Sequence, residues 1–259
     1  MRIAILSDIH GNTIALDAVL DDIRRQGGAD AFWILGDLAA IGPDPVGVLQ
    51  RVSALPEARF VRGNCDRYLV TSERPAPTLE DAQRDPALLK PLVDVARSFA
   101  WTQGAVATAG WLPWLEALPL DFRTVLPDGT RVLAVHAAPG LDDGWGIHPA
   151  LSQAELAAHL SGCDADLVLL GHTHWALDMT VDGVRLVNPG SVSNPFPPDL
   201  RAGYTLLHAD SSGWRLEPRR ADYDHEAVIA ELERVQHPAR RFIARWLRGE
   251  MRPRWALGE

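Results

Sequence analysis

The stretch Leu169-Leu170-Gly171-His172-Thr173-His174 decides how the chain is interpreted, because two histidines directly follow an apolar run. Residues 167–170 have the length and composition of a buried strand, and Gly171 favours a turn after it. Histidines two residues apart in such a turn can direct both imidazoles into one cavity, and imidazole is a common metal ligand. The stretch therefore predicts a metal site at the carboxyl end of a buried strand.

Candidate ligands also follow four apolar runs further upstream. They are Asp8, His10, Asp37, Asn64 and His136. Taken singly, a histidine after a strand is more often an ordinary buried or surface side chain, and an aspartate there is usually a turn or helix cap. Because five strand ends each supply oxygen or nitrogen ligands, the set as a whole predicts one metal centre.

Composition limits the kind of protein to which such a centre belongs. With 259 residues, 47% of them hydrophobic, the chain can bury a large core, and we predict a single domain over residues 1–259. The net charge of -9 argues against stable nucleic-acid binding, and an anionic substrate would need local positive charge such as bound cations. Cys65 and Cys163 are the two cysteines, so no disulfide framework is indicated. We expect a cytoplasmic protein without an export signal or membrane segment.

The hydrophobic pattern predicts an α/β fold. Apolar strands at residues 1–7, 31–36 and 59–62 alternate with helical segments, and a helical insertion follows at about residues 68–120. Hairpin patterns at 121–136 and 177–187 make the second half rich in strands, before a carboxyl-terminal helical segment at about 222–250. We predict a four-layer α-β-β-α sandwich of two mixed β-sheets with a helical insertion.

Two groups of side chains in these helical segments have alternative interpretations. Tryptophans of the insertion, such as Trp101, pack in or beside the core, which we favour, or stack on a substrate base. The arginines from position 240 onward form an RNA-binding or membrane-surface patch, or lie along a packed helix with their charged groups in water. Apolar residues at helical spacing favour the packed helix. Five further histidines are interpreted as ordinary side chains, and among them His148 stands apart because it lies in the glycine-rich loop after His136.

Five blocks of the sequence resemble, in order and spacing, the calcineurin-like metallophosphoesterases. They are Asp8-Ile9-His10, Gly36-Asp37, Gly63-Asn64-Cys65-Asp66, His136 and Gly171-His172-Thr173-His174. The resemblance covers residues 1 to about 210. Cys65 and the later Asn188-Pro189-Gly190-Ser191 are most similar to the small prokaryotic phosphodiesterase branch, some members of which are described as acting on diadenosine polyphosphates.

The resemblance implies two divalent metal ions that share the Asp37 carboxylate. One ion would be held by Asp8, His10, Asp37 and His174, and the other by Asp37, Asn64, His136 and His172. Mixed oxygen and nitrogen ligands suit Mn²⁺ or Fe, with Co²⁺, Zn²⁺ and Ni²⁺ as alternatives.

The implied reaction is hydrolysis of phosphodiester or phosphoanhydride bonds by a metal-bound hydroxide. The expected substrate is a small phosphate ester, such as a nucleotide or dinucleoside polyphosphate, and the expected catalytic residues are Asn64, Cys65, Asp66 and His136. A phosphomonoesterase or protein phosphatase is the alternative, followed by a non-catalytic scaffold. The sequence gives no indication of the oligomeric state.

Cys65 departs from the pattern of the wider family, in which many members place a histidine after the asparagine. That histidine, paired with an acidic residue, donates a proton to the leaving oxygen. A thiol with an ordinary pKa near 8.5 is a weaker donor than an imidazolium near 6.5, so substrates with good leaving groups should be preferred. The alternative is that Cys65 only packs as a small residue, and the sequence leaves both open.

Overall fold

The computed structural model describes residues 1–71 and 73–257. Within these residues, ten strands form two five-stranded sheets. The strands are β1 (Arg2–Leu6), β2 (Ala31–Ile34), β3 (Ala58–Phe60), β4 (Asp121–Val125), β5 (Arg131–Val135), β6 (Leu167–Leu169), β7 (Leu177–Val181), β8 (Val184–Asn188), β9 (Ala202–Asp210) and β10 (Gly213–Ala221).

Helices flank and connect these strands. They are α1 (Thr13–Arg25), α2 (Pro45–Ser53), α3 (Asn64–Val70), α4 (Leu79–Arg84), α5 (Leu89–Thr108), α6 (Leu112–Glu116), α7 (Gln153–His159), α8 (His225–Arg234), α9 (Arg240–Leu247) and α10 (Arg254–Leu257), with a 3-10 turn at Pro86–Leu88. No helix in the described part of the chain combines the length and the apolar character needed to cross a bilayer.

Both sheets are mixed, as predicted. The first has the order β10-β9-β1-β2-β3, in which β1, β2 and β3 are parallel, β9 is antiparallel to β1, and β10 is antiparallel to β9. The second has the order β4-β5-β6-β8-β7, with β5, β6 and β8 parallel and an antiparallel strand at each edge. Because the carboxyl ends of parallel strands share one edge of a sheet, the residues after β1, β2 and β3 meet, as do those after β5 and β6.

Alternation of side chains along β1 explains the four layers. Ile3 and Ile5 point between the two sheets, where they pack with residues such as Leu169. Ala4 and Leu6 point the other way, into the layer of helices that includes α1 and α2. A strand buried on both faces needs an uninterrupted apolar sequence, which is what residues 3–6 provide. With α7 covering the outer face of the second sheet, the predicted α-β-β-α sandwich is confirmed.

The helical insertion packs beside the first sheet through α3, α5 and α6. Trp114 meets the ring of Phe60 edge to face with centroids 5.1 Å apart, and it meets Trp111 in the same manner at 5.6 Å. Trp101 contacts the ring of His237 at 4.7 Å. These contacts bear out the packing interpretation of the insertion's tryptophans.

The carboxyl-terminal helices α8 and α9 pack on each other through their apolar faces. Val228 and Leu232 of α8 contact Ile243 and Leu247 of α9. Charged groups lie at the edges, for example the guanidinium of Arg240, which forms an ion pair at 2.8 Å with an acidic side chain of α8. The arginines of α9 therefore lie along a packed helix, the interpretation favoured above. The organisation of residues 1–259 as one domain stays a prediction.

One strand is shorter than its pattern indicates. The sequence predicts a strand over residues 59–62, but β3 ends at Phe60. The amide of Val61 still donates to Ile34 O, whereas the amide of Arg62 donates to Pro119 O and leaves the sheet. The backbone turns here because residues 63–66 must approach Asp37.

Candidate metal centre

The loops after five parallel strands converge at one edge of the sandwich. Asp8 follows β1, Asp37 follows β2, and His136 and His172 follow β5 and β6 of the other sheet. The amide of His172 donates to Asp8 Oδ2 at 3.1 Å, so a backbone group from one sheet is bonded to a side chain from the other. The candidate ligands are thus brought into one cluster between the sheets.

Five of these residues have a backbone conformation that side chains other than glycine rarely adopt. Positive φ angles of 47 to 67° occur at Asp8, His10, Asp37, His172 and His174. Each such residue costs of order 1–3 kcal/mol and persists only where the surrounding structure enforces it. Strain of this kind concentrates at functional sites, so its presence at five candidate ligands indicates that side-chain direction here is maintained at a cost in stability.

The first group of ligands consists of Asp8, His10 and His174. The two imidazole Nε2 atoms face each other at 3.0 Å, and Asp8 Oδ1 lies 3.4 Å from His174 Nε2 and 3.9 Å from His10 Nε2. Asp8 Oδ1 is buried and has no hydrogen-bond partner among the described residues. A buried carboxylate oxygen without a donor is rare in proteins. A cation bound between these three atoms would satisfy it, so the residues fit a metal.

Asp37 lies between this group and a second one. Its Oδ2 is 3.7 Å from His10 Nε2, and its Oδ1 is 3.5 Å from His136 Nε2. The carboxylate thus presents one oxygen to each group.

The second group is completed by Asn64 and His172. Asn64 Oδ1 lies 3.2 Å from His136 Nε2 and 3.0 Å from His172 Nδ1. His172 is partly exposed, whereas Asn64 and His136 are buried. Access from solvent to the two groups is therefore greatest beside His172.

Every imidazole of the cluster is held by a backbone carbonyl on the side away from the other ligands. Such a carbonyl accepts the ring N–H, fixes the tautomer and leaves the lone pair of the second nitrogen for a metal. The pairs are His10 Nδ1 with Ala40 O at 3.1 Å, His136 Nδ1 with Leu35 O at 2.5 Å, His174 Nδ1 with Asn194 O at 2.9 Å, and His172 Nε2 with Gly144 O at 2.8 Å.

The electrostatics of the cluster favour a bound cation. Burial lowers the pKa of His10 to about 4 and also lowers the pKa of His172, so both imidazoles are neutral at pH 7 and able to bind a metal. Burial favours neutral His136 as well, but the Asp37 carboxylate outweighs it and raises the pKa of His136 to about 10. A positive charge beside Asp37 is therefore stabilised, and a divalent ion supplies that charge in place of the proton.

Asp66 lies behind Asp37 and does not face the other ligands. Its Oδ2 accepts from the amides of Asp37 and Gly63, and its Oδ1 accepts from the amide of Leu38, all at 2.9 Å. The side chain is fully buried, and burial together with the charge of Asp37 raises the pKa of Asp66 to about 7. These contacts favour a positioning role for Asp66, whereas the sequence predicts a part in proton transfer.

Gly63 makes the close approach of the two loops feasible. A Cβ at this position would lie 2.1 Å from Asp37 Oδ1 and 2.4 Å from Asp37 N. No real contact is that short, so any side chain here would displace the central ligand. This explains why the strand-to-helix turn after β3 begins with glycine.

The Cys65 thiol is buried near the ligands. Its Sγ belongs to a group with His10 and Asp37 in which the ligand atoms lie within 4.8 Å of one another, and the side chain is only 4% exposed. Burial, followed by the charge of Asp37, raises the pKa of the Cys65 thiol well above its usual value. A thiol that gives up its proton less readily is a poorer acid catalyst, so the structure favours the packing interpretation of Cys65.

Three polar residues at the end of β8 and in the loop after it support the site, although the sequence gives none of them a role. Asn188 Nδ2 donates to Gly171 O at 2.6 Å, Ser191 Oγ donates to Asp8 O at 2.8 Å, and Asn194 O accepts from His174. All three are buried. The block Asn188-Pro189-Gly190-Ser191 is the feature of the sequence that could have indicated these supporting roles, because it resembles the same family as the ligand blocks.

Comparison with known proteins agrees with this arrangement. The family model described as the calcineurin-like phosphoesterase superfamily domain matches residues 1–212. A crystal structure of a metallophosphoesterase from Sphaerobacter thermophilus is 26% identical, with a TM-score of 0.73 over 97% of this chain and 100% of that one. A hypothetical protein from Pyrococcus horikoshii, 19% identical, shares the fold with a TM-score of 0.77 over 95% of this chain and 97% of its own.

Two curated protein sequences are similar to this chain over different shares of their length. An uncharacterised protein of Methanocaldococcus jannaschii is 26% identical over 91% of this chain and 93% of its own. The symmetrical bis(5'-nucleosyl)-tetraphosphatase of Shigella dysenteriae is 32% identical over 56% of this chain, and the matched region spans 58% of that enzyme. The similarity to the tetraphosphatases is therefore limited to part of each protein.

Proposed function

Because the chain belongs to the calcineurin-like phosphoesterase superfamily and is a metal-dependent hydrolase, we propose that it hydrolyses phosphodiester or phosphoanhydride bonds of small nucleotide-like substrates. The single observation that carries the proposal is the position of Asp37, with one carboxylate oxygen towards each of two ligand groups. The name of the tetraphosphatase relatives supports phosphoanhydrides as the substrate bond.

In this proposal the cluster holds two divalent ions. Asp8, His10, Asp37 and His174 would hold one, and Asp37, Asn64, His136 and His172 would hold the other. Two such ions supply charge that stabilises phosphate oxygens and lowers the pKa of a water molecule. Mixed nitrogen and oxygen ligands suit Mn²⁺ or Fe, with Co²⁺, Zn²⁺ and Ni²⁺ as alternatives, and elemental analysis of the purified protein decides between them.

The residues around the ligands have positioning roles in the proposed reaction. Asp66 fixes the backbone of Asp37, and the carbonyls of Leu35, Ala40 and Asn194 orient the imidazoles. Preorganised ligands avoid a reorganisation cost when charge develops on the phosphate oxygens. The partly exposed His172 marks the side from which a substrate enters.

Assays on a substrate panel test this function. With Mn²⁺ supplied, we expect diadenosine tetraphosphate, inorganic tripolyphosphate and aryl diesters to be hydrolysed faster than glycerol phosphate, because their leaving groups are weaker bases. Comparable turnover of glycerol phosphate would favour a phosphomonoesterase instead. Absence of turnover of every phosphoanhydride and diester would overturn the proposal.

Metal removal should lower thermal stability. A ligand present at about one hundred times its Kd contributes about 2.7 kcal/mol, which corresponds to roughly 5–10 °C in Tm for a chain of this size. We therefore expect the Tm of chelated protein to rise by this amount when Mn²⁺ is restored, as measured by scanning calorimetry. Mg²⁺, which prefers all-oxygen ligands, is the control and should give a smaller shift. An identical Tm with and without Mn²⁺ would contradict binding at the buried ligands.

Cys65→Ser tests whether the thiol transfers a proton. Because the thiol is buried and its pKa is raised, we expect the slope of log kcat against leaving-group pKa to be the same in the variant and the natural protein. A series of aryl phosphodiesters on Mn²⁺-loaded protein provides the measurement. A clearly changed slope would show that position 65 serves the leaving oxygen, which is one of the two interpretations that the sequence leaves open.

A further inference from the structure

A cavity of about 490 Å³ is lined by the loop that contacts His172. Its walls come from the loop after β5, from α7 and from Trp255 of α10. This volume lies within the range of pockets that bind small molecules.

A loop that lines the cavity also contacts His172 of the metal centre. Gly144, which lines it, accepts the ring N–H of His172 through its carbonyl oxygen at 2.8 Å. Gly146, also in the wall, lies so close that a Cβ there would be 2.7 Å from His172 Cδ2. The short loop of Gly144 and Gly146 therefore contacts both the cavity and the His172 ring.

His148 supplies a polar atom without a partner at this wall. The residue is 6% exposed, and its Nδ1 is buried with no hydrogen-bond partner among the described residues. Its ring stacks on Trp255, with centroids 4.7 Å apart and planes 8° from parallel. Leaving a buried ring nitrogen unpaired costs free energy, so such an atom in a cavity wall points to a ligand that pairs with it.

The character of the remaining lining favours an aromatic ring over a phosphate. The described residues of the wall include the acidic Asp143 and Glu155 but no lysine or arginine. Asp143 is already paired with Arg67 and Tyr68, and Glu155 accepts from Ser152, so neither carboxylate is free, and it is the aromatic side chains of the wall that favour a ring. Trp145, also in the wall, is 55% exposed and offers a free aromatic surface.

We propose that this cavity binds a nucleobase of the substrate, stacked on the tryptophans and hydrogen-bonded to His148, while the phosphates lie at the metal centre. The proposal rests on the proposed function, since it assumes a nucleotide-like substrate. Trp255 lies beyond residues 1–212, so the base site uses a part of the chain outside the family match. Through Trp255, the carboxyl-terminal segment contributes to the choice of substrate.

Two variants test the base site through substrate selectivity. Trp145→Leu removes the exposed ring, and His148→Leu removes the unpaired nitrogen while keeping an apolar side chain. Base stacking on an aromatic residue is worth enough that its loss weakens binding about tenfold. We expect the ratio of kcat/KM for diadenosine tetraphosphate to that for inorganic tripolyphosphate to fall about tenfold in each variant. Phe242→Leu, an exposed aromatic on α9 that does not line this cavity, is the control and should keep the ratio.

A binding measurement separates this proposal from the proposed function. In calorimetric titrations of the chelated natural protein, adenosine should bind and ribose should not, and both variants should bind adenosine about tenfold more weakly. An unchanged kcat/KM ratio in Trp145→Leu, which alters only a surface side chain, would overturn the base site even if His148→Leu misfolds. If adenosine binding depends on Trp145 and His148 but no phosphoanhydride is hydrolysed, the base site stands and the proposed function fails.

Discussion

Asp37→Ala is expected to abolish phosphoester hydrolysis and to remove both metal ions together. Asp37 presents one oxygen to each ligand group, so its loss weakens both sites at once. Removing a single preorganised electrostatic element from an active site commonly costs about 10²–10³ in kcat, and we expect at least that loss here. Steady-state kinetics and elemental analysis of the same preparations provide the measurement.

Two further variants are the comparison and the control for Asp37→Ala. His136→Ala removes a ligand of one group only, so it should retain more metal than Asp37→Ala. Asp178→Ala removes a half-exposed carboxylate of the edge strand β7 that pairs with Arg185 of β8, and it should leave metal content and rate near those of the natural protein. Full activity or full metal content in Asp37→Ala would show that the ligands are assigned wrongly.

Asp66→Ala should have the largest effect on stability. The substitution leaves the amides of Asp37, Leu38 and Gly63 buried without an acceptor. Each unsatisfied donor costs about 1–3 kcal/mol, so we expect the free energy of unfolding to fall by about 3–5 kcal/mol. Urea unfolding of the chelated protein measures the loss separately from any change in metal binding.

The matched control is Asp81→Ala on the surface. Asp81 also accepts a backbone N–H, from Thr78 at the start of α4, but water can replace it there. Its loss should be far smaller than that of Asp66. Equal and small effects of the two substitutions would mean that Asp66 does not maintain the loop carrying Asp37.

The positions of the ligands could be predicted because the carboxyl ends of parallel strands lie at the same edge of a sheet. Asp8 and Asp37 each follow a strand buried on both faces, whose apolar sequence is easy to recognise, and the pairing of β1 with β2 places them side by side. The same logic predicts His136 and His172 in the second sheet. Fold class and ligand set therefore follow largely from local patterns and from the resemblance of the blocks to a known family.

The roles of the supporting residues could not be predicted in this way. Asp66 bonds to amides of the loop after β2, and His148 stacks on Trp255 near the other end of the chain. Such contacts depend on how loops from distant elements meet, and no periodicity in the sequence records that. The environment of the buried Cys65 thiol could not be predicted for the same reason, because the nearby side chains of His10 and Asp37 come from other loops.

The most direct test of the proposed centre is a titration of chelated protein with Mn²⁺, followed by electron paramagnetic resonance. Two ions that share the Asp37 carboxylate are predicted to bind at a ratio of about two per chain and to give an exchange-coupled signal, since ions in such sites lie roughly 3.5–4 Å apart. The coupled signal should be missing in Asp37→Ala. A single uncoupled ion in the natural protein, or a coupled pair that persists without Asp37, would contradict the two-metal centre.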